Sequence, residues 1–188
     1  MSYQRKNMRI LKPFLFLLAV LVVGTMVGCS TSTKSADVSG SIRTSLDQAG
    51  LKDVSVSQDR DKGVVTLSGH VAIDSDKSQA ESIAKSIAGT QVVSNQIAVI
   101  PVGAESDAKQ VNSGLDKGIE GNLDAALTKA KLHDSVKYSV KNRVVTLTGE
   151  VHSQAQRARA EKIASAVLNV DQVVNELEVK GQKASSSK

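Results

Sequence analysis

Cysteine occurs once in 188 residues, tryptophan is absent, and the aromatic side chains number four: two tyrosines and two phenylalanines. The lone cysteine, Cys29, excludes an intrachain disulfide. Tyr3, Phe14 and Phe16 all fall near the N-terminus, so the rest of the chain keeps only Tyr138. Binding of nucleic acid by base stacking on aromatic rings has almost nothing to work with, and nucleic acid is not an expected partner. An excess of one charge sign is missing as well. The formal charge is +5, but residues 1–28 hold Arg5, Lys6, Arg9 and Lys12 and no acid, which leaves 20 basic against 19 acidic residues beyond them. The pI of 9.3 therefore describes the N-terminus more than the folded surface. A long apolar run occurs once, Phe14 to Val27, and it is short of the roughly 20 residues that a membrane-spanning helix needs. With its basic flank and no acid it reads as an export signal over residues 1–28.

Where that run ends stands Met26-Val27-Gly28-Cys29-Ser30. The segment resembles the lipobox of bacterial lipoproteins, with Met26 in place of the usual leucine. The resemblance implies cleavage before Cys29 and lipidation of its side chain; the alternative is a buried free thiol in an uncleaved anchor. Residues 29–39 follow as a tether, and Ser30 to Ser35 offers no apolar residue to bury, so flexibility is expected there.

Beyond the tether the sequence repeats at one offset. Gly63-Val64-Val65-Thr66-Leu67-Ser68-Gly69 returns eighty positions later as Arg143-Val144-Val145-Thr146-Leu147-Thr148-Gly149. Ala80-Glu81-Ser82-Ile83-Ala84 returns as Ala160-Glu161-Lys162-Ile163-Ala164, and Asn95 as Asn175. A period this long means duplicated domains and not a solenoid.

Within each copy the hydrophobic period changes in the same order. Ile42, Leu46 and Ala49, like Leu123, Leu127 and Ala130, have helical spacing. Val54 and Val56, like Val136, Tyr138 and Val140, alternate as a strand does. Val65, Leu67 and Val71, or Val145, Leu147 and Val151, share one face of a second strand that closes a hairpin. A second helix carries Ala80, Ile83, Ala84 and Ile87, or Ala160, Ile163, Ala164 and Val167, with Ser153 and Gln156 spaced as a capping box. Val93 to Val99 and Val173 to Val179 close each copy as a last strand. The expected class is α+β: two tandem α-β-β-α-β domains, 40–102 and 117–180, each with two helices on one face of a three-stranded sheet. Residues 103–116, with Pro101 just before them, read as a linker that lets the domains move independently, and 181–188 as a disordered tail.

The repeated pattern resembles the BON domain family: an aliphatic strand ending in Leu-x-Gly, a helix with Ala-x-x-Ile-Ala, and a Val-x-Asn-x-Leu-x-Val strand. The first copy reads Val65 to Gly69, Ala80 to Ala84 and Val93 to Val99; the second reads Val145 to Gly149, Ala160 to Ala164 and Val173 to Val179. Two such domains behind an export signal resemble osmotically inducible periplasmic proteins, and with a lipobox they resemble outer-membrane BON lipoproteins of division and envelope maintenance. The resemblance implies no catalysis and no cofactor. Its implied partners are phospholipid membrane, with anionic headgroups as one option, and envelope proteins. It implies an outer-membrane address facing the periplasm, with a soluble periplasmic or an inner-membrane address as alternatives. In place of lipid binding, a protein-binding, chaperone-like stress factor is the second reading.

Charge supplies a physical counterpart. From Lys129 to Lys162 eight basic residues face three acids, whereas the first copy has six against seven. Lys129, Lys131, Arg157, Arg159 and Lys162 are accordingly the candidate lipid contacts, each well-placed cation contributing about 1 kcal/mol toward anionic headgroups. His70, His133 and His152 stand at positions that are not histidine in the other copy and lack the spacing of a zinc site, so neither metal nor acid-base chemistry is expected of them.

Overall fold

The computed structural model describes residues 34–181. The expected signal peptide, Cys29 and the tail beyond Gly181 lie outside the described residues. The first copy runs α1 (Ser39–Gln48), β1 (Val54–Asp59), β2 (Val64–Val71), α2 (Asp74–Ala88), β3 (Val92–Asn95) and β4 (Ala98–Val99). The second runs α3 (Glu105–Lys129), β5 (Val136–Lys141), β6 (Val144–Val151), α4 (Gln154–Ser165), β7 (Gln172–Asn175) and β8 (Glu178–Val179).

Each hairpin is antiparallel and is followed by a crossover helix that brings the last strand back parallel to the second, giving the orders β1-β2-β3 and β5-β6-β7. The last strand is interrupted. β4 and β8 rejoin β2 and β6 after a break of two residues. Asn95 and Asn175 make that break: each side-chain oxygen accepts the N–H two residues on, from Ile97 and Leu177. Each side-chain amide donates to the second helix, at Glu81 and Glu161.

Period-2 alternation sends Val65, Leu67 and Val71 to the helix side, where they pack with Ile42, Leu46, Ala80 and Ala84. The second core repeats this with Val145, Leu147, Val151, Leu123, Leu127, Ala160 and Ala164. Gly69 and Gly149 have φ +103 and +115. A Cβ there would collide with the backbone oxygens of Asp53 and Ser135, so the hairpin requires glycine at both positions. The expected cap of α4 forms, Ser153 accepting from the Gln156 N–H at 3.2 Å, and the Gln156 side chain reaches back to the His152 N–H.

Three expectations need correction. The segment 103–116 is not an extended linker: from Glu105 onward it is the first half of the 25-residue α3. Asp116 on that extension accepts the N–H groups of Asn142 and Arg143, the left-handed pair at the tip of the β5-β6 turn. Nor are the copies independent beads. The sheet faces turned away from the helices meet through Val64, Val144 and Val174, with Val92 beside them. Lys62 Nζ lies 2.6 Å from the Glu176 carboxylate, and at the positions eighty apart Asn142 donates to the Gln96 carbonyl at 2.8 Å. These matched contacts give the two copies an approximate two-fold relation. Gln172 breaks it: its amide caps the free edge of β3, accepting from Asn95 N–H and donating to the Val93 carbonyl, while its counterpart Val92 is apolar.

The tether is likewise shorter than expected. Residues 34–38 are held against the first domain, with Ser35 and Arg60 exchanging two hydrogen bonds and Ala36 O accepting from Gln58 and Gln91.

Candidate functional site

Each of the five cations singled out above lies on or just after a helix of the second domain. Arg157 is removed from the candidate lipid contacts, because it is buried, at 7% exposure. Its guanidinium donates to the Leu177 carbonyl at 3.0 Å and the Asn175 carbonyl at 2.8 Å. Those carbonyls belong to the strand break, where a buried acceptor without a donor would cost about 1–3 kcal/mol. Arg157 is thus part of the frame.

The other four are exposed. Lys129 closes α3 one turn beyond Ala126; Arg159 and Lys162 on α4 stand one turn before Ile163 and Ala166. Between α3 and α4 runs an open groove of about 460 Å³ lined by Asn122, Ala126, Ile163, Ala166, Val167 and Leu168. Helix α4 ends at Ser165, whereas its counterpart α2 continues three residues further in register, to Ala88. Leu168 consequently stands in the turn after the helix, 76% exposed, while Ala88, eighty residues earlier, is buried. Lys131 lies in the turn after α3 with φ +58, where the first copy has Gly50 at φ +81.

Neighbouring acids are largely engaged. Glu161 accepts from Asn175, and Asp124 accepts from the Tyr138 hydroxyl at 2.8 Å with His133 Nε2 at 3.0 Å. Burial, followed by the bond to Asp124, pushes the Tyr138 hydroxyl up to about 12, so it is a fixed donor at neutral pH. His70 and His152 are exposed. Among the described residues no group of His, Cys, Asp and Glu side chains is arranged to hold a metal ion, and no helix is long and apolar enough to cross a membrane.

Sequence reasoning missed Leu168 and Gln172. Both were legible in the eighty-residue offset, which sets Leu168 against Ala88 and Gln172 against Val92, but an exposed leucine and an edge-capping amide look ordinary until the helix length and strand order are known.

Two α+β repeats, each a hairpin and a crossover strand under two helices, define a tandem α+β module. The chain belongs to the BON domain family, whose model matches residues 34–101 and 115–181. It is 38% identical over 145 residues to osmotically-inducible protein Y of Escherichia coli K12, covering 72% of this chain and 67% of that protein. Among solved structures it matches two of CdsD, a structural protein of the type III secretion system of Chlamydia trachomatis. Both matches are at 12% identity, with TM-scores of 0.32 and 0.31, and cover 76% of this chain and 61% and 65% of those chains. Similarity that low carries no argument here.

Proposed function

We propose that this is a non-enzymatic envelope lipoprotein whose second domain binds the surface of a phospholipid membrane, preferring anionic headgroups, in support of envelope integrity under osmotic stress. One observation carries the reading. On the helices of the second domain and in the turns that follow them, Lys129, Lys131, Arg159, Lys162 and Leu168 replace Gln48, Gly50, Gln79, Ser82 and Ala88 of the first. Four exposed cations on or just after the two helices that flank an apolar groove, together with a projecting leucine, match an interface of anionic headgroups over acyl chains. The expected attraction is about 1 kcal/mol per cation, weakened by salt. With no aromatic at the site, insertion is expected to be shallow. Lys131 adds support, since a lysine in the left-handed region costs of the order of 1 kcal/mol where glycine costs little, and strain of this kind concentrates at functional positions. Acylation of Cys29 would supply the stable attachment that a few charges do not. The link to osmotic stress rests on the name of the Escherichia coli relative.

Flotation of the chain from Ser30 onward, without the acyl group, tests the lipid reading. Binding to phosphatidylglycerol vesicles that fades with salt and is absent on phosphatidylcholine is expected; equal flotation on both, or none on either, contradicts it.

A further inference from the structure

The β1-β2 turn is two residues longer than the β5-β6 turn: Asp59 pairs with Val64 across four residues, Lys141 with Val144 across two. With Lys62 and Gly63 in register with Asn142 and Arg143, the extra residues are Arg60 and Asp61. Both reach the N-terminal segment. Ser35 N–H donates to the Arg60 carbonyl at 2.9 Å, Arg60 Nε donates to the Ser35 carbonyl at 2.8 Å, and Lys34 Nζ lies 3.4 Å from the Asp61 carboxylate. Gln58 holds the next stretch at both ends, donating to Ala36 O at 2.7 Å and accepting from Val38 N–H at 3.1 Å. Among the described residues the second domain has no such strap, its shorter turn being held by Asp116 of α3.

The chain is therefore fastened to the tip of the first hairpin at Lys34, five residues beyond Cys29 and so five Cα–Cα steps from it. Whatever its conformation, that stretch reaches at most ~17 Å. From this we infer that the strap and the Arg60-Asp61 insertion keep the first domain's hairpin tip close to the membrane that carries the anchor, so that the protein engages headgroups of its own leaflet and not of an opposing membrane. The inference rests on acylation of Cys29, part of the function proposed above. Charge fits it: the first copy has six basic and seven acidic residues between Val38 and Val102, too even a balance to draw it to a membrane. Its placement must come from the leash.

The test uses the full-length acylated protein in phosphatidylethanolamine/phosphatidylglycerol vesicles with an energy acceptor on the headgroups. Asp61→Cys, which removes one exposed ion pair and keeps both Ser35-Arg60 bonds, carries the donor dye. Strong quenching is expected, and loss of it when about twenty Gly/Ser residues, a coil of ~25 Å, are inserted between Thr33 and Lys34. Arg60→Ala, with the dye still at position 61, should reduce quenching partway. An acylated, vesicle-bound protein whose dye is unquenched, or equally quenched after the insertion, overturns the inference while acylation stands. An N-terminal peptide whose mass lacks the acyl group removes the anchor reading itself, and the inference with it.

Discussion

The two domains share a frame and differ on their outer helix face and at their turns. Where the frame is concerned they are near copies: each break in the last strand is made by an asparagine, each hairpin needs a glycine, and each second helix lays alanines on the sheet. On the helix face they diverge. At the matched positions the first domain has neutral or small residues, and its long α2 buries Ala88; the second has cations there and an α4 short enough to release Leu168. Divergence concentrated on an exposed face and at the turns, over a largely shared frame, separates what the fold requires from what one copy does.

The largest expected effect strikes the shared frame. Gly149→Ala drives a methyl group into the Ser135 carbonyl at a φ that side chains rarely adopt, and Gly69→Ala does the same at Asp53. Each should destabilise by about 3 kcal/mol or more in urea unfolding, roughly equally in the two domains. Next comes a position where the frames differ. Arg157→Met leaves two carbonyls of the strand break without their donor and should cost about 2–3 kcal/mol, whereas Lys77→Met, at the equivalent place, should stay within about 0.5 kcal/mol. Equal costs would mean that the guanidinium has no special part in the second domain.

A smaller change sharpens the functional side of the comparison. Lys131→Gly restores the first copy's residue and should raise stability by about 0.5–1 kcal/mol while weakening vesicle binding, a trade of stability against charge. The smallest effect is one of pH. At Glu81 burial alone would raise the carboxyl, but hydrogen bonds from Asn95 and Lys85 outweigh it and hold the group below its ordinary value of 4.5. A depressed carboxyl contributes stability that is present above that value and lost as pH falls through the lowered one. Melting temperatures measured from about pH 6 downward should therefore drop more steeply for the native chain than for Glu81→Gln.

The frame was legible in the sequence because burial writes periodicity: Val65, Leu67 and Val71 alternate, Ile42 and Leu46 are one helical turn apart, and both patterns recur. What stayed hidden involves partners distant in sequence. Residues 105–116 are polar with three apolar positions, so they read as linker, and the contact of Asp116 with the β5-β6 turn is invisible until the turn is placed. Arg157 looked like its neighbour Arg159; only the direction in which α4 faces the strand break separates a buried guanidinium from an exposed one. The packing of the two sheets depends on Val64, Val144 and Val174, which in sequence alone are strand residues of the solvent side.

The most direct measurement is flotation of the chain from Ser30 onward on phosphatidylglycerol vesicles, comparing charge reversal in the two copies. Lys129→Glu with Lys162→Glu should abolish binding, and Gln48→Glu with Ser82→Glu, the matching positions of the first domain, should leave it intact. Equal loss from both pairs, or loss from neither, would contradict the assignment of the membrane-binding face to the second domain.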